Sequence, residues 1–572
     1  MDEIMKEHQT IEELEQLLKE CHFPAVIRHI NDNDLQEKYP WILIEAWLRL
    51  RNLEKVQELL SKYEHLIREK SDYYKWNLLK VQSLRQRGAV GEVLSKLSTL
   101  LTESEQYQDL TFHFSFLVEQ SACLIDQGKY ETAIQTLSDL ITRLTGGKDK
   151  YHLGLALSWR SIAYWQKGML KLALEEQELA MKMLESHGTV QDQIRSLNVI
   201  GSICEVQHAF EKAIEALKKA LTLSENIGNQ RSTASALNNI GNLYYSQGEL
   251  NQALDYHLKA LNLRSSLSNE NDIAISLNNL GNVYSAQGFF EKALECHSKA
   301  LKIRKIQNNP LRVAMSYQNI GQVLRGKGEA EKAIQHLEVS LELYRQVDNP
   351  TYIAWVLSDL VIILSQRRDL KGIQTYLARF PDPKNQTKGI KVIHTLLEGF
   401  RSFTEGDVNK ARDLWQEAIS KKDLPFDYQI EAYKGLLDAE ILLARKELTE
   451  EKLETIKNLF YTFETVCKEN KMTPSLCMIY LLRAKFNEGM LWLEEAEKNL
   501  VQCELTAIEK GLPLHQRLAS QQLKKLRQIG LEVQHTHSDE KEVSLSSLAN
   551  YLRDLSMLLS KEETYCVGDE QS

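Results

Sequence analysis

The side chains with most chemistry to offer are carboxamides on a fixed step. Asn198, Asn238, Asn278 and Gln318 stand 40 residues apart. Asn239, Asn279 and Asn319 repeat that step one position on. Asn242, Asn282 and Gln322 repeat it four positions on, with Ser202 heading the row. An amide carries two donors and an acceptor, so it can hold a peptide backbone whatever side chains that backbone bears. Asn also costs a helix interior ~0.6 kcal/mol relative to Ala, so rows of it need a reason. The rows either grip a ligand or bond to one another and set the twist between helices. Arg195, Glu205, Tyr245, Arg325, Trp159 and Trp165 are the neighbours that could add specificity.

Other chemistry is thin. There is no Gly-rich phosphate loop, no HExxH and no nucleophile elbow. His535 and His537 make an isolated HxH pair, too few ligands for a metal. His257 and His297 sit 40 apart and read as packing residues. The eight Cys show no CxxC pair, which fits buried, reduced thiols in a cytoplasmic protein. No catalytic residue, cofactor or metal is expected. Net charge is −9 with no basic stripe, which argues against nucleic acid. No apolar run is long enough to insert into a membrane, and the N-terminus has no signal-like core.

The elements that carry the amides follow from the same step. Gly201, Gly241, Gly281 and Gly321 are 40 apart. Gly128, Gly168, Gly248, Gly288 and Gly328 form a second register, with His208 in its gap. Ala133, Ala173, Ala213, Ala253, Ala293 and Ala333 form a third; Ala180, Ala220, Ala260 and Ala300 form a fourth, continued by Ser340. Registers that share a period without drift mean a repeat array. Within one unit, Leu237, Ile240, Gly241 and Tyr244 lie on one helical face. Gly248 ends that helix, and Leu250 to Leu261 form a second. Gly241, Ala253 and Ala260 mark close approach, where a larger side chain costs about 1–3 kcal/mol.

The stretch ALNNIGNLYYSQGELNQALDYHLKAL resembles a tetratricopeptide repeat. The step of 40 is similar to the long-repeat variants in kinesin light chains and in Gα-binding spindle-orientation adaptors. The resemblance implies an all-α fold, a right-handed α-solenoid superhelix of helical hairpins, whose first helices line a concave wall. It implies a binding scaffold rather than an enzyme. The amide rows resemble the Asn ladders of peptide-binding superhelices. The resemblance thus places Arg195, Asn198, Asn238, Asn239, Asn242 and Tyr245 in the groove, followed by Asn278, Asn279, Asn282, Gln318, Asn319 and Gln322. Chaperone-tail-binding members clamp a carboxylate with Lys and Arg one turn from Asn. Here Ser235, Ile275 and Met315 precede the amides, so that specificity is not expected.

Outside the clear array the pattern weakens. Residues 1–107 read as degenerate helical cap repeats, with a capping box at Thr10–Glu13, breaks at Pro24 and Pro40, and Asn52 in the Gly slot. Residues 108–347 hold six 40-residue units. Residues 348–390 keep the register, with Arg368 for Gly and Ile373 for Ala, and suggest a bend at ARFPDPKNQTKG. Gly399, Gly406, Ala411 and Ala418 restart a looser array over 391–531. A polar linker at 532–542 precedes an amphipathic helix at 543–561, with Leu545, Leu548, Leu552, Leu555 and Leu559 on one stripe, and a disordered tail at 562–572. The expected function is an adaptor that binds a protein or peptide segment in its groove. The alternative is a regulator whose groove is closed by its own C-terminal helix. A non-catalytic subunit of an enzyme complex is a remoter reading.

Overall fold

The computed structural model describes residues 2–20, 23–50, 52–107, 110–207, 209–267, 270–306, 309–347, 349–382, 388–421, 424–446, 449–490 and 492–536. His208, His537, the striped segment 543–561 and the tail 562–572 lie outside them. Among the described residues there are 27 α-helices, one short 3-10 helix and no strand. Two compact units divide at Leu243/Tyr244, inside the helix Gln230–Ser246. Nothing in the sequence marks that boundary.

Both units repeat one construction. A first helix of 17 or 18 residues, such as Glu270–Ala286 or Pro310–Lys327, is followed by a tight turn and a second helix, such as Phe290–Ile306 or Ala330–Gln346. The turn needs one left-handed residue. Gly128, Gly168, Gly248, Gly288 and Gly328 supply it with φ between 73 and 85°. Arg368 occupies the same slot and adopts φ 57° despite its side chain. The turn is therefore dictated by the stacked hairpin, and Gly only makes it cheaper. Asn52, expected in that slot, stands instead at the N-cap that Ala89 and Lys129 hold one position after Gly88 and Gly128, and accepts from the Lys55 amide at 3.0 Å.

The Gly201–Gly321 register, and Gly399 beyond it, are packing devices. A Cβ built on Gly281 would lie 2.6 Å from the His297 ring. One on Gly321 would lie 2.7 Å from Leu337, and one on Gly399 2.5 Å from Trp415. The two helices of a hairpin thus meet backbone to side chain. His257 and His297 are buried at this contact level, and burial, with Arg264 and Arg304 beside them, pushes each ring down to about 4. They stay neutral core residues.

In each unit the first helices of neighbouring hairpins also touch one another. Leu110–Asp126 meets Lys150–Gln166 in the first unit; Pro310–Lys327 meets Pro350–Gln366, which meets Lys388–Glu405, in the second. The face they share is the one on which the amide rows stand.

Three expectations change. Thr10 lies within the helix Asp2–Lys19, so it caps nothing. The helix Pro513–Thr536 runs through the first five residues of the expected linker. At the expected bend, the second helix shrinks to Leu370–Leu377, yet one core passes from Ala314 through Ile373 and Leu396 to Ala439. Trp415 is fully buried in that core, donating from its indole N–H to the Leu396 carbonyl at 3.3 Å. The remaining Cys, where described, are free thiols, and five of the six are buried.

Candidate functional site

The amide rows lie on first helices in both units, and their first use is to join one hairpin to the next. In the first unit Asn239 donates to Asn198 Oδ1 at 2.8 Å, while Asn198 Nδ2 donates back to the Ile194 carbonyl of its own helix at 2.8 Å. Asn238 is buried and Asn242 half-buried. Arg195 pairs with Asp192 at 3.0 Å and stacks on the Trp159 ring, with its guanidinium carbon 5.7 Å from the centroid. Arg85 stacks on the same ring at 5.1 Å and pairs with Glu119 at 2.9 Å. Trp159 is thus held by two cations from first helices before and after its own, Lys70–Arg87 and Val190–Val206.

In the second unit the rule repeats. Asn319 donates to the Asn278 oxygen at 2.9 Å. Gln318 and Gln322 both donate to Asp359 Oδ2, at 3.1 and 2.9 Å. Asp359 stands 40 residues beyond Asn319, so it is the next rung of the Asn239–Asn279–Asn319 row. Extending that row by one step would have found it. Glu119 and Trp159 stand on the same register further back.

A second tier, missed in the sequence, holds the amides from behind. Arg264, Arg304 and Tyr344 share one 40-residue slot near the end of the second helices, and all three are buried. Arg304 Nη1 donates to Ser316 Oγ at 2.8 Å, to the Arg312 carbonyl at 3.3 Å and to Asn278 Oδ1 at 3.3 Å. Tyr344 donates from its hydroxyl to Gln318 Oε1 at 3.2 Å. Burial, with Arg312 close by, lowers Arg304 to about 10.

What this leaves open is small and specific. Asn278 Oδ1 accepts twice, while its amide hydrogens meet no partner among the described residues. Asn282, one turn on and half-buried, makes no hydrogen bond among them. Tyr245, 39 % exposed, and Asn279, half-buried, each have a partner of their own.

Beyond the amides the same inner face turns ionic. Arg325 lies 3.7 Å from Asp359 and 3.8 Å from Glu431, two first helices further on in Phe426–Lys446. Lys434 pairs with Glu431 at 3.4 Å. Burial opposes the Glu431 charge, but Lys434 and Arg325 outweigh it and hold the carboxyl below its usual range. Burial raises Asp359 against the pull of Arg325. Asp438, on the same helix as Glu431, is pushed up to about 7 by burial, with Lys434 and Arg368 pulling the other way; its Oδ1 has no partner. Among the described residues no cluster of His, Cys, Asp and Glu suits a metal ion, and no helix is long and apolar enough to cross a membrane.

Residues 192–266 and 272–346 match the tetratricopeptide repeat family model. The described residues before and after them are all helical as well, in paired helices of similar length. No curated protein matches its sequence. Among solved structures it is similar to BtubC (BKLC) from P. vanneervenii, with 24 % identity over 39 % of this chain and 93 % of that one, at a TM-score of 0.34. It is similar to a Rap protein complexed with competence and sporulation factor, with 15 % identity over 64 % and 99 % of the two chains, at 0.45. The apo quorum sensor NprR from B. thuringiensis shares 16 % identity over 62 % and 99 %, at 0.42.

Proposed function

We propose that the chain is a non-catalytic scaffold that binds an extended segment of a protein partner along the first-helix face of its second unit. Asn278 and Asn282 grip the backbone of that segment, and the ionic stretch from Arg325 to Asp438 selects among side chains. The supporting observation is the contrast between Asn282 and its neighbours. Asn319, Gln318 and Gln322 are bonded across hairpins, whereas Asn282 is half-buried and bonds to nothing described. An amide held in a helix at a cost, with no protein partner, is available for a ligand.

The test is a binding screen against a library of unstructured peptides about 12 residues long, a length that spans several repeats. Wild type is compared with Asn278→Ala/Asn282→Ala, with helicity and thermal midpoint as folding controls. Peptides that bind wild type and lose about tenfold or more in affinity for the folded double variant support the reading. An unchanged binding profile assigns both amides to structure alone.

A further inference from the structure

The second unit carries another recess, away from the amide rows. It has a volume of ≈ 530 Å³ and lies among the helices Glu450–Glu469, Thr473–Gly489 and Leu493–Lys510. Phe460 and Phe486 form its buried floor, Trp492 one wall, and Tyr461 stands 70 % exposed at its rim. Lys457 lies over the Trp492 ring at 4.6 Å, and Lys498 is exposed beside it. The rim carries Lys457 and Lys498 against one carboxylate, Glu495, and an aromatic recess with that positive excess, on a chain of net charge −9, suits an apolar helix face flanked by acids.

We propose that this recess is the docking site of the chain's own segment Val543–Lys561. Three observations converge on that occupant. The first is direction. Glu504 pairs with Ser520, and Glu497 pairs with Arg527 at 2.9 Å. The partners step seven residues in opposite senses, so the last helix runs back antiparallel to Leu493–Lys510. Its end at Thr536 therefore falls about four residues, or ~6 Å, past the level of Trp492. The second is reach. Residues 537–542 span at most about 20 Å when extended, enough to bring Val543 to the recess. The third is complementarity. The segment's Leu545–Leu559 stripe offers one continuous apolar face, and Asp539, Glu540 and Glu542 before it and Glu562 and Glu563 after it are acidic. Docked there, the segment covers the aromatic floor and leaves the Asn278–Asp438 face open. It does not close the groove, so this inference stands apart from the ligand reading above.

Hydrogen–deuterium exchange on the full chain decides it. In wild type, peptides covering 543–561 exchange about tenfold slower than unstructured peptides, and Phe460, Phe486 and Trp492 peptides are protected with them. Tyr461→Glu/Lys498→Glu, on exposed positions that leave the fold intact, removes the protection at 543–561. Leu548→Glu/Leu552→Glu removes it from the other side and speeds exchange at the recess. Free exchange of 543–561 in wild type overturns the proposal, as does protection that survives both variants. Lysine–carboxylate cross-linking adds a positional check. Links from Lys457 or Lys498 to Glu562 or Glu563 support the docking, and links from Lys561 to Asp359 or Glu431 instead overturn it.

Discussion

The first and second units use one register for different chemistry. In the first, the slot that holds Glu119 and Trp159 gathers cations: Arg85 and Arg195 stack on the indole, and Arg85 also pairs with Glu119. In the second, the same slot holds Asn319 and Asp359, and it gathers amides. The backbone is the same hairpin in both cases. A repeat fixes where a side chain points, and the residue placed there decides what it meets. The first unit's first-helix face is satisfied by stacking, by ion pairs and, at Asn239 and Asn198, by one amide–amide bond. The second unit's face keeps open hydrogen-bond capacity at Asn278 and Asn282 and a carboxyl that burial keeps near neutrality at Asp438.

That difference can be broken most severely through the core beneath the second unit's face. Trp415→Ala deletes a fully buried side chain packed on Gly399 and Gly435. It is expected to cost about 3–5 kcal/mol, read as a lowered urea midpoint. Arg304→Met comes next. It keeps the stem but removes the bonds to Ser316, the Arg312 carbonyl and Asn278, leaving Ser316 and the Arg312 carbonyl bonded only to each other. A loss of about 2–3 kcal/mol is expected by the same measurement.

Asp438 sharpens the contrast through pH. Its folded value is about 7, above the ordinary carboxyl value in the unfolded chain. Between about pH 4 and 7 the folded protein therefore binds the extra proton. Its contribution to stability is present below pH 4 and declines as pH rises through 7. Asp438→Asn should flatten this slope and leave the protein more stable than wild type at pH 8. Urea titrations at pH 5 and pH 8 measure both; an unchanged slope would mean that the carboxyl is solvated.

In the first unit, Trp159→Leu keeps an apolar but smaller side chain and removes two cation–π contacts. It should cost about 1 kcal/mol, with the effect reduced in high salt. The smallest effect is at Asn282. No bond is lost on Asn282→Ala, and helix propensity improves, so stability should rise by ~0.5 kcal/mol. A loss of more than 1 kcal/mol would reveal a structural role and move the open amide out of the ligand account.

Much of this was legible beforehand because a repeat writes its geometry in register. Gly281, Gly321 and Gly399 mark helix contacts, and Gly248, Gly288 and Gly328 mark left-handed turns. Asp359, Arg304 and Tyr344 were legible in principle, since each lies on a 40-residue row, but rows that change residue type are easily passed over. Thr10 misled because a local capping pattern says nothing of the helix already running through it.

The sequence by itself determined the hairpin, its period and the face on which the amides stand, because those depend on side-chain spacing and local sterics. Only the tertiary structure decided which amides are consumed. The bonds from Asn239 to Asn198, and from Gln318 and Gln322 to Asp359, depend on the angle between neighbouring hairpins. It also decided that Arg325 reaches Glu431, 106 residues on, and that Lys510 reaches Glu249 at 2.6 Å in the second unit. Those contacts come from small rotations summed over several hairpins, and no local pattern records that sum.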